Sequence, residues 1–208
     1  MVKLNAPLMS LDASGTVANS ITFAKWKGRN YARVRVVPAN PQTGKQTGIR
    51  AAVKFLGQQW AKLNTSQQAT WDDPAKQTNV SPFNAFVGKN AYDWRNQLYP
   101  SKTYPAARSS TAPSAPTVTA TGGTRQATIT ITKGATAPTW AYSIHRSTSS
   151  GMTPNWTNCI ALVQIDASGN GSYIDTPLNA GTYYYTAIPF NEDGKNGTAA
   201  TETSCTVT

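Results

Sequence analysis

The side chains best equipped for recognition fall in one short stretch: Lys25, Trp26, Lys27, Arg29, Tyr31, Arg33 and Arg35. Guanidinium groups form paired, charge-assisted hydrogen bonds with carboxylate or phosphate. Trp26 and Tyr31 add rings that stack. No other part of the chain is as dense in cations and aromatics together. The same cations would equally protect a strand edge from aggregation. The constituents of catalysis are scarce by contrast. A nucleophile relay would need His145, the one histidine, which is expected as an exposed strand residue beside Arg146. Asp166 and Ser172 lie too far from it along the chain for spacing to join them. With His145, the two cysteines Cys159 and Cys205 exclude a zinc cluster of the usual spacing. Nine acidic residues leave few candidates for a carboxylate pair. The expectation is a binding or structural protein rather than an enzyme, with no catalytic residue, no metal and no cofactor.

Period-two alternation sets the basic stretch on a β-hairpin. Thr16 to Trp26 places Val17, Asn19, Ile21 and Phe23 at alternate positions. Asn30 to Val37 places Ala32, Val34 and Val36 on one face and Tyr31, Arg33 and Arg35 on the other. Lys27-Gly28 supplies the turn and Pro38 ends the second strand. A two-stranded hairpin is marginal alone, so it needs helices or a neighbouring subunit behind it. Residues 1–14 show no periodicity and read as an arm. Asn40-Pro41-Gln42-Thr43-Gly44 reads as a loop.

A helix is expected from Lys45 to Leu63, with Ile49, Ala52, Val53, Leu56, Trp60 and Leu63 as its apolar stripe. Thr65 and Gln68 fit a capping box for a short helix over 66–73 that Pro74 stops. Ser81-Pro82 starts a third helix running to Leu98, with Phe83, Phe86, Val87, Ala91, Trp94 and Leu98 as its stripe. Trp60, Trp71 and Trp94 are expected in the core. Residues 99–116 are rich in proline and small polar residues and read as a semi-extended linker. Charge breaks at the same place. Residues 1–112 carry 15 Lys/Arg against 4 Asp/Glu, and residues 113–208 carry 4 against 5. This predicts a basic module facing an acidic partner and a near-neutral module that folds alone. The expected divisions are an arm at 1–14, a basic hairpin-plus-helices domain at 15–98, a linker at 99–116 and a β-sandwich at 117–208.

Seven short strands are expected in the last part: 117–120, 126–132, 140–146, 159–164, 171–174, 182–189 and 202–208. Turn clusters such as Gly122-Gly123 and Glu192-Asp193-Gly194 separate them, as in an immunoglobulin-like sandwich. Leu178-Asn-Ala-Gly181-Thr-Tyr-Tyr-Tyr185, then Asn191-Glu-Asp-Gly194, resembles the later half of a fibronectin type III domain. Tyr142-Ser-Ile144-His-Arg146-Ser147 resembles that family's third strand. The resemblance implies a tyrosine corner at Tyr183, Tyr184 or Tyr185. It also implies that Cys159 and Cys205 sit on non-neighbouring strands, too far apart to bridge. The fold class expected is thus an α+β N-terminal domain followed by an all-β, fibronectin type III-like sandwich.

Ser14-Gly15-Thr-Val17, Trp26-Lys27-Gly28, Asn40-Pro41-Gln-Thr43, Gln46, Arg50 and Phe83-Asn84-Ala85-Phe86 resemble a loose family of bacteriophage and prophage virion proteins. The resemblance implies a virion structural protein, made in the bacterial host cytoplasm and assembled into the particle. Capsid decoration is the first reading and a tail or neck component the second. Its partners would be the major capsid protein or other virion proteins, with copies of itself as homo-oligomer neighbours. The outer domain would make weak contact with cell surfaces or glycans. The reading of another class is a nucleic-acid-binding protein that uses the same hairpin. Gln58–Leu63 followed by Thr65–Trp71 superficially echoes an HMG-box helix pair, but a hairpin precedes it and Asp72, Asp73 and Asp93 sit among the helices. No apolar run reaches membrane-spanning length, so no membrane partner is expected.

Overall fold

A computed structural model describes residues 2–4, 14–18, 20–37 and 43–208. Residues 5–13 of the expected arm, Pro38 and most of the 40–44 loop lie outside the described residues. The chain divides into two compact units, Met1–Pro41 and Gln42–Thr208.

The first unit is a four-stranded antiparallel sheet of order β1-β4-β3-β2, built from β1 (Val2–Leu4), β2 (Gly15–Val17), β3 (Ile21–Trp26) and β4 (Arg29–Val34). The hairpin β3–β4 is present, closed by the pair Trp26–Arg29. Lys27 and Gly28 have φ of 48° and 77°. Positive φ at both central residues is what a two-residue type I′ turn requires, and its twist matches that of the strands. The expected single strand 16–26 is broken. The chain turns back after Val17, with Ser20 N–H donating to Val17 O at 3.0 Å, so β2 pairs antiparallel with β3. Ala18, at φ 47°, takes the left-handed conformation without the glycine that would have signalled it. Val2–Leu4, part of the expected arm, pairs with β4.

The second unit joins helices and sandwich. Helix α1 (Gly44–Trp60) is capped by Thr43, and α2 (Thr65–Ala69) by a capping box of Asn64 and Gln67, one residue earlier than expected. The expected stop at Pro74 does not hold. A third short helix, α3 (Asp72–Thr78), carries Pro74 in its first turn, where the missing N–H would have had no intrahelical partner. Helix α4 (Pro82–Arg95) starts as expected, with Ser81 accepting from Asn84 N–H.

The sandwich strands are β5 (Thr117–Gly123), β6 (Gln126–Thr132), β7 (Ala141–Ser147), β8 (Cys159–Gln164), β9 (Gly171–Asp175), β10 (Gly181–Phe190) and β11 (Thr203–Val207). They form sheets β5-β6-β9 and β11-β10-β7-β8, the strand order of a fibronectin type III sandwich. The chain is therefore an α+β N-terminal region followed by an all-β sandwich of that kind. Ala127, Ile129 and Ile131 on β6 face Tyr142, Ile144, Tyr185 and Ala187 across the sandwich core. The Tyr183 hydroxyl donates to Asn179 O at 3.0 Å, which makes Tyr183 the corner residue. Cys159 and Cys205 are free and lie on opposite edges of one sheet. Burial pushes the Cys159 thiol up to about 12.

The expected boundary at 98/117 differs from the structure. β7 is buried along both faces, because one face packs in the sandwich and the other meets the helices. A single core cluster holds Leu56, Phe86 and Trp94 from the helices together with Trp140, Leu162 and Phe190 from the sandwich. Phe55, outside the expected stripe, packs its ring 5.1 Å from Trp140. Gln59 accepts from Trp140 Nε1 at 3.1 Å and donates to Gln164 Oε1 at 3.1 Å. Helix α1 thus buries two faces, one among the helices and one on the sheet. Gly48 permits the close approach, since a Cβ there would run into the Trp156 carbonyl.

Residues 99–116 do not behave as a linker. Lys102 N–H donates to Glu192 O at 2.7 Å and Arg108 N–H to Asp193 O at 3.1 Å. Ser110 bonds Asp193 through both its N–H and its hydroxyl, each at 2.8 Å. Arg108 pairs with Asp93 at 2.6 Å. The segment is a strap stitched to the loop after β10. That loop thus takes up the backbone N–H groups of Lys102, Arg108 and Ser110.

Candidate functional site

The register of the sheet sorts the basic stretch. Trp26 faces Arg29, Ala24 faces Tyr31 and Thr22 faces Arg33 across β3 and β4. Side chains alternate between faces along a strand, so Trp26, Arg29, Tyr31 and Arg33 share one face. Thr16 extends it on β2 through a 3.1 Å bond between its hydroxyl and that of Thr22. Lys25 pairs with Asn30 on the opposite face, beside Phe23 and Ala32. The structure therefore separates Lys25 from the group. Lys27 occupies the turn, with its ammonium 4.9 Å from the centre of the Trp26 ring, a cation–π contact. Arg35 follows the end of β4, where its N–H donates to Ser20 O at 2.7 Å.

The opposite face was expected to be the covered, apolar one. Yet Val17, Ile21 and Val34 remain exposed, Val34 by 74%. Phe23 and Ala32 at the middle of that face are half-buried. Within residues 1–41 the sequence holds six Lys/Arg and one acidic residue, Asp12. The result is a small sheet with a cationic, aromatic face and an aliphatic face whose Val17, Ile21 and Val34 are exposed. It can pair with carboxylates or phosphates on one side and cover apolar surface on the other.

His145 is not on the surface, as the sequence reading had it, but 1% exposed. Its Nδ1–H is within reach of two acceptors, Asn158 Oδ1 at 2.9 Å and Asn155 O at 3.1 Å. Its Nε2 faces the Ser143 hydroxyl at 3.0 Å, and Ser143 in turn meets the Tyr99 hydroxyl at 3.0 Å. Desolvation pushes the imidazole down to about 4, so it stays neutral. A serine, a histidine and an asparagine in sequence have the parts of a nucleophile relay. Here Ser143 and His145 are almost wholly buried, joined to Tyr99 of the strap and to Asn155 and Asn158 of the loop between β7 and β8. The network ties the two layers together. The alternation of β7 pointed to a half-buried strand, and nothing in that pattern announced the helices covering its second face.

Among the described residues no cluster of His, Cys, Asp and Glu could hold a metal ion, and no helix is long and apolar enough to cross a membrane.

No protein-family model matches the chain, and no curated protein matches it. Among solved structures, the chain is similar to a β-1,2-glucanase from Parabacteroides distasonis at 17% identity and a TM-score of 0.38. That match covers 47% of this chain and 13% of the glucanase. It is also similar to an Fn3-like protein from Clostridium thermocellum at 23% identity and a TM-score of 0.34, covering 47% of this chain and 96% of that one. A pectate lyase from Erwinia chrysanthemi aligns at 12% identity and a TM-score of 0.34, over 43% of this chain and 27% of the lyase.

Proposed function

We propose that this chain is a bacteriophage virion structural protein, a capsid decoration protein. Its basic N-terminal sheet anchors on other virion proteins, and its immunoglobulin-like body is displayed on the particle. One observation carries the reading. In the β1–β4 sheet, Trp26 on one face is 66% exposed and Val34 on the other is 74% exposed. Large apolar side chains left exposed on both faces of a small sheet are available to a partner. Its composition suits docking against an acidic protein surface with an apolar patch, where charge steers the encounter and apolar area holds it. The motif resemblance of residues 14–100 to phage virion proteins supports the particle as the place.

The test is the number of copies per purified particle for wild type and for the Arg33→Glu/Arg35→Glu pair, with Arg29→Glu as a third variant. Reversing two cations costs several kcal/mol against an acidic surface, so occupancy should vanish while the free chain melts as before. Full incorporation would overturn the anchoring role. A DNA-binding arm runs alongside. Binding of duplex DNA at physiological salt, with a steep salt slope that the same substitutions flatten, would overturn the protein-anchoring reading in favour of phosphate contact.

A further inference from the structure

The second unit holds a pocket of about 290 Å3 between α4 and the strap, at the lower end of the range for small-ligand sites. Lys89, Tyr92 and Asp93 line it from α4, where spacings of three and four set them on one side of the helix. Tyr104 and Arg108 line it from the strap. Tyr92 is 66% and Tyr104 37% exposed, so both rings offer surface to a ligand.

The walls are held in place by the fold itself. The buried amide of Asn90 on α4 donates to Ser101 O at 3.0 Å and accepts from Ser101 N–H at 2.8 Å. Trp71 Nε1 donates to Lys102 O at 2.9 Å, and Tyr104 N–H donates to Thr70 Oγ1 at 3.1 Å. Arg108 has φ 49°, a left-handed conformation that costs a residue with a Cβ and persists where the surroundings hold it. From there its Nη2 reaches Asp93 Oδ2 at 2.6 Å and Tyr99 O at 3.3 Å. Both of these bonds come from Nη2, and Arg108 Nε has no partner among the described residues, so the guanidinium keeps donors to spare. A carboxylate has about four acceptor sites, and the bond from Arg108 takes one of those on Asp93.

Exposed ring surface beside a carboxylate–guanidinium pair and an ammonium suits a saccharide. A pyranose presents a C–H face, which is apolar and meets the negative face of an aromatic ring. Its rim carries hydroxyls that each donate and accept. We propose that this pocket binds a single hexopyranose unit of a glycan. The C–H face lies against the tyrosines. Asp93 accepts from one hydroxyl of a vicinal pair while Arg108 donates to the other, both bonds being charge-assisted. Lys89 donates to a third hydroxyl. An inorganic anion is a poorer occupant, because it would face the like charge of Asp93. The anchoring of the sheet plays no part in this binding.

The experiment is nuclear magnetic resonance titration of the isotope-labelled full chain with the methyl glycosides of glucose, galactose, mannose and N-acetylglucosamine. Guanosine and inorganic phosphate are run as further arms. At least one glycoside should shift the amides around Lys89–Asp93 and Thr103–Arg108, with a Kd of about 1–10 mM. Tyr92→Ala and Lys89→Gln should each weaken that binding about fivefold or more. Tyr92 is exposed, so the melting temperature should hold. Should Tyr92→Ala lower it, Lys89→Gln carries the test. Tyr92 also borders a groove between α1 and α4, which Lys45 lines without reaching this pocket. Lys45→Gln should therefore leave the affinity unchanged. No shift with any glycoside at about 50 mM would overturn the proposal. So would equal weakening by Lys45→Gln, or tighter binding of guanosine or phosphate at the same amides.

Discussion

The two units put their aromatic residues to opposite uses. In residues 42–208, Trp71, Phe86, Trp140, Tyr142, Tyr185 and Phe190 are almost wholly buried. Several meet edge-on or tilted, such as Phe55 with Trp140 and Trp71 with Phe86. Their polar atoms are paired, Trp140 Nε1 to Gln59 and Trp71 Nε1 to Lys102 O. In the β1–β4 sheet, Trp26 stands in solvent beside a lysine, and three valines and isoleucines of the other face stay exposed. The first arrangement spends side chains on the body's own stability. The second leaves them exposed. The contrast shows that aromatic content alone says little. What decides is whether a second layer covers the face, and α1 supplies that layer for β8.

Cutting the chain should have the largest effect. A fragment of residues 113–208 uncovers Trp140, Leu162 and Phe190, which the helices bury. It should lose its cooperative melt or aggregate, contrary to what the charge break suggests. A fragment of residues 43–208 should melt like the full chain. Phe55→Ala tests the same interface within the intact chain and should cost about 3–5 kcal/mol in denaturant unfolding. A soluble fragment 113–208 with the full chain's melting temperature would show that the helices add nothing to the sandwich.

Acid should act on the same interface. His145 has its native pKa pushed down to about 4 by burial, against 6.5 in the unfolded chain. Between these values the unfolded chain binds a proton that the native one does not. Stability therefore rises with pH through this window and is lost as pH falls from 6.5 toward 4. The loss should approach about 3 kcal/mol. His145→Gln should flatten that slope, read from urea unfolding at pH 7, 5.5 and 4.5. An unchanged slope would mean that the imidazole is not sealed.

Two glycines of α1 give a smaller and signed contrast. Gly48 meets the Trp156 carbonyl, whereas a Cβ at Gly57 would meet nothing. Gly48→Ala should destabilise by about 1–3 kcal/mol through forced backbone movement. Gly57→Ala should stabilise by about 0.5–1 kcal/mol through helix propensity. Thermal unfolding of both variants separates a helix that leans on the sandwich from one that merely lies nearby.

Much of the fold was legible because it rests on periodicity. All seven sandwich strands follow from alternation and turn clusters, and Leu56 and Phe86 from helical spacing. The division into units was not legible, for three physical reasons. The strap 99–116 has linker composition, but its backbone is held by Asn191, Glu192 and Asp193 some 80 to 90 residues further along the chain, and bonds over that separation leave no mark in the segment itself. Gly48, Phe55 and Gln59 form a second buried face on α1 that a search for one apolar stripe passes over, because one member is polar and another has no side chain. The net charge follows surface residues and does not report which elements share a core. At the candidate site, alternation correctly grouped Tyr31 and Arg33. It could not place Lys25, whose face depends on the register of β3 against β4, nor foresee that the chain reverses after Val17.

The smallest expected effect is the most informative about the sheet. Trp26→Ala and Val34→Ser remove large apolar side chains, which in the body would cost several kcal/mol. Both are exposed and contribute to no core, so each should change the stability of the free chain by less than about 0.5 kcal/mol. The amides of β3 and β4 should exchange with solvent through low-energy local opening. Those of β6 and β7 should require global unfolding. Hydrogen exchange of the free chain measures both at once. On the particle, the proposed anchoring predicts that β3 and β4 become protected and that the two substitutions, silent before, now weaken occupancy. Strong protection of β3 and β4 in the free chain would mean that the sheet is already covered and holds no face in reserve for a partner.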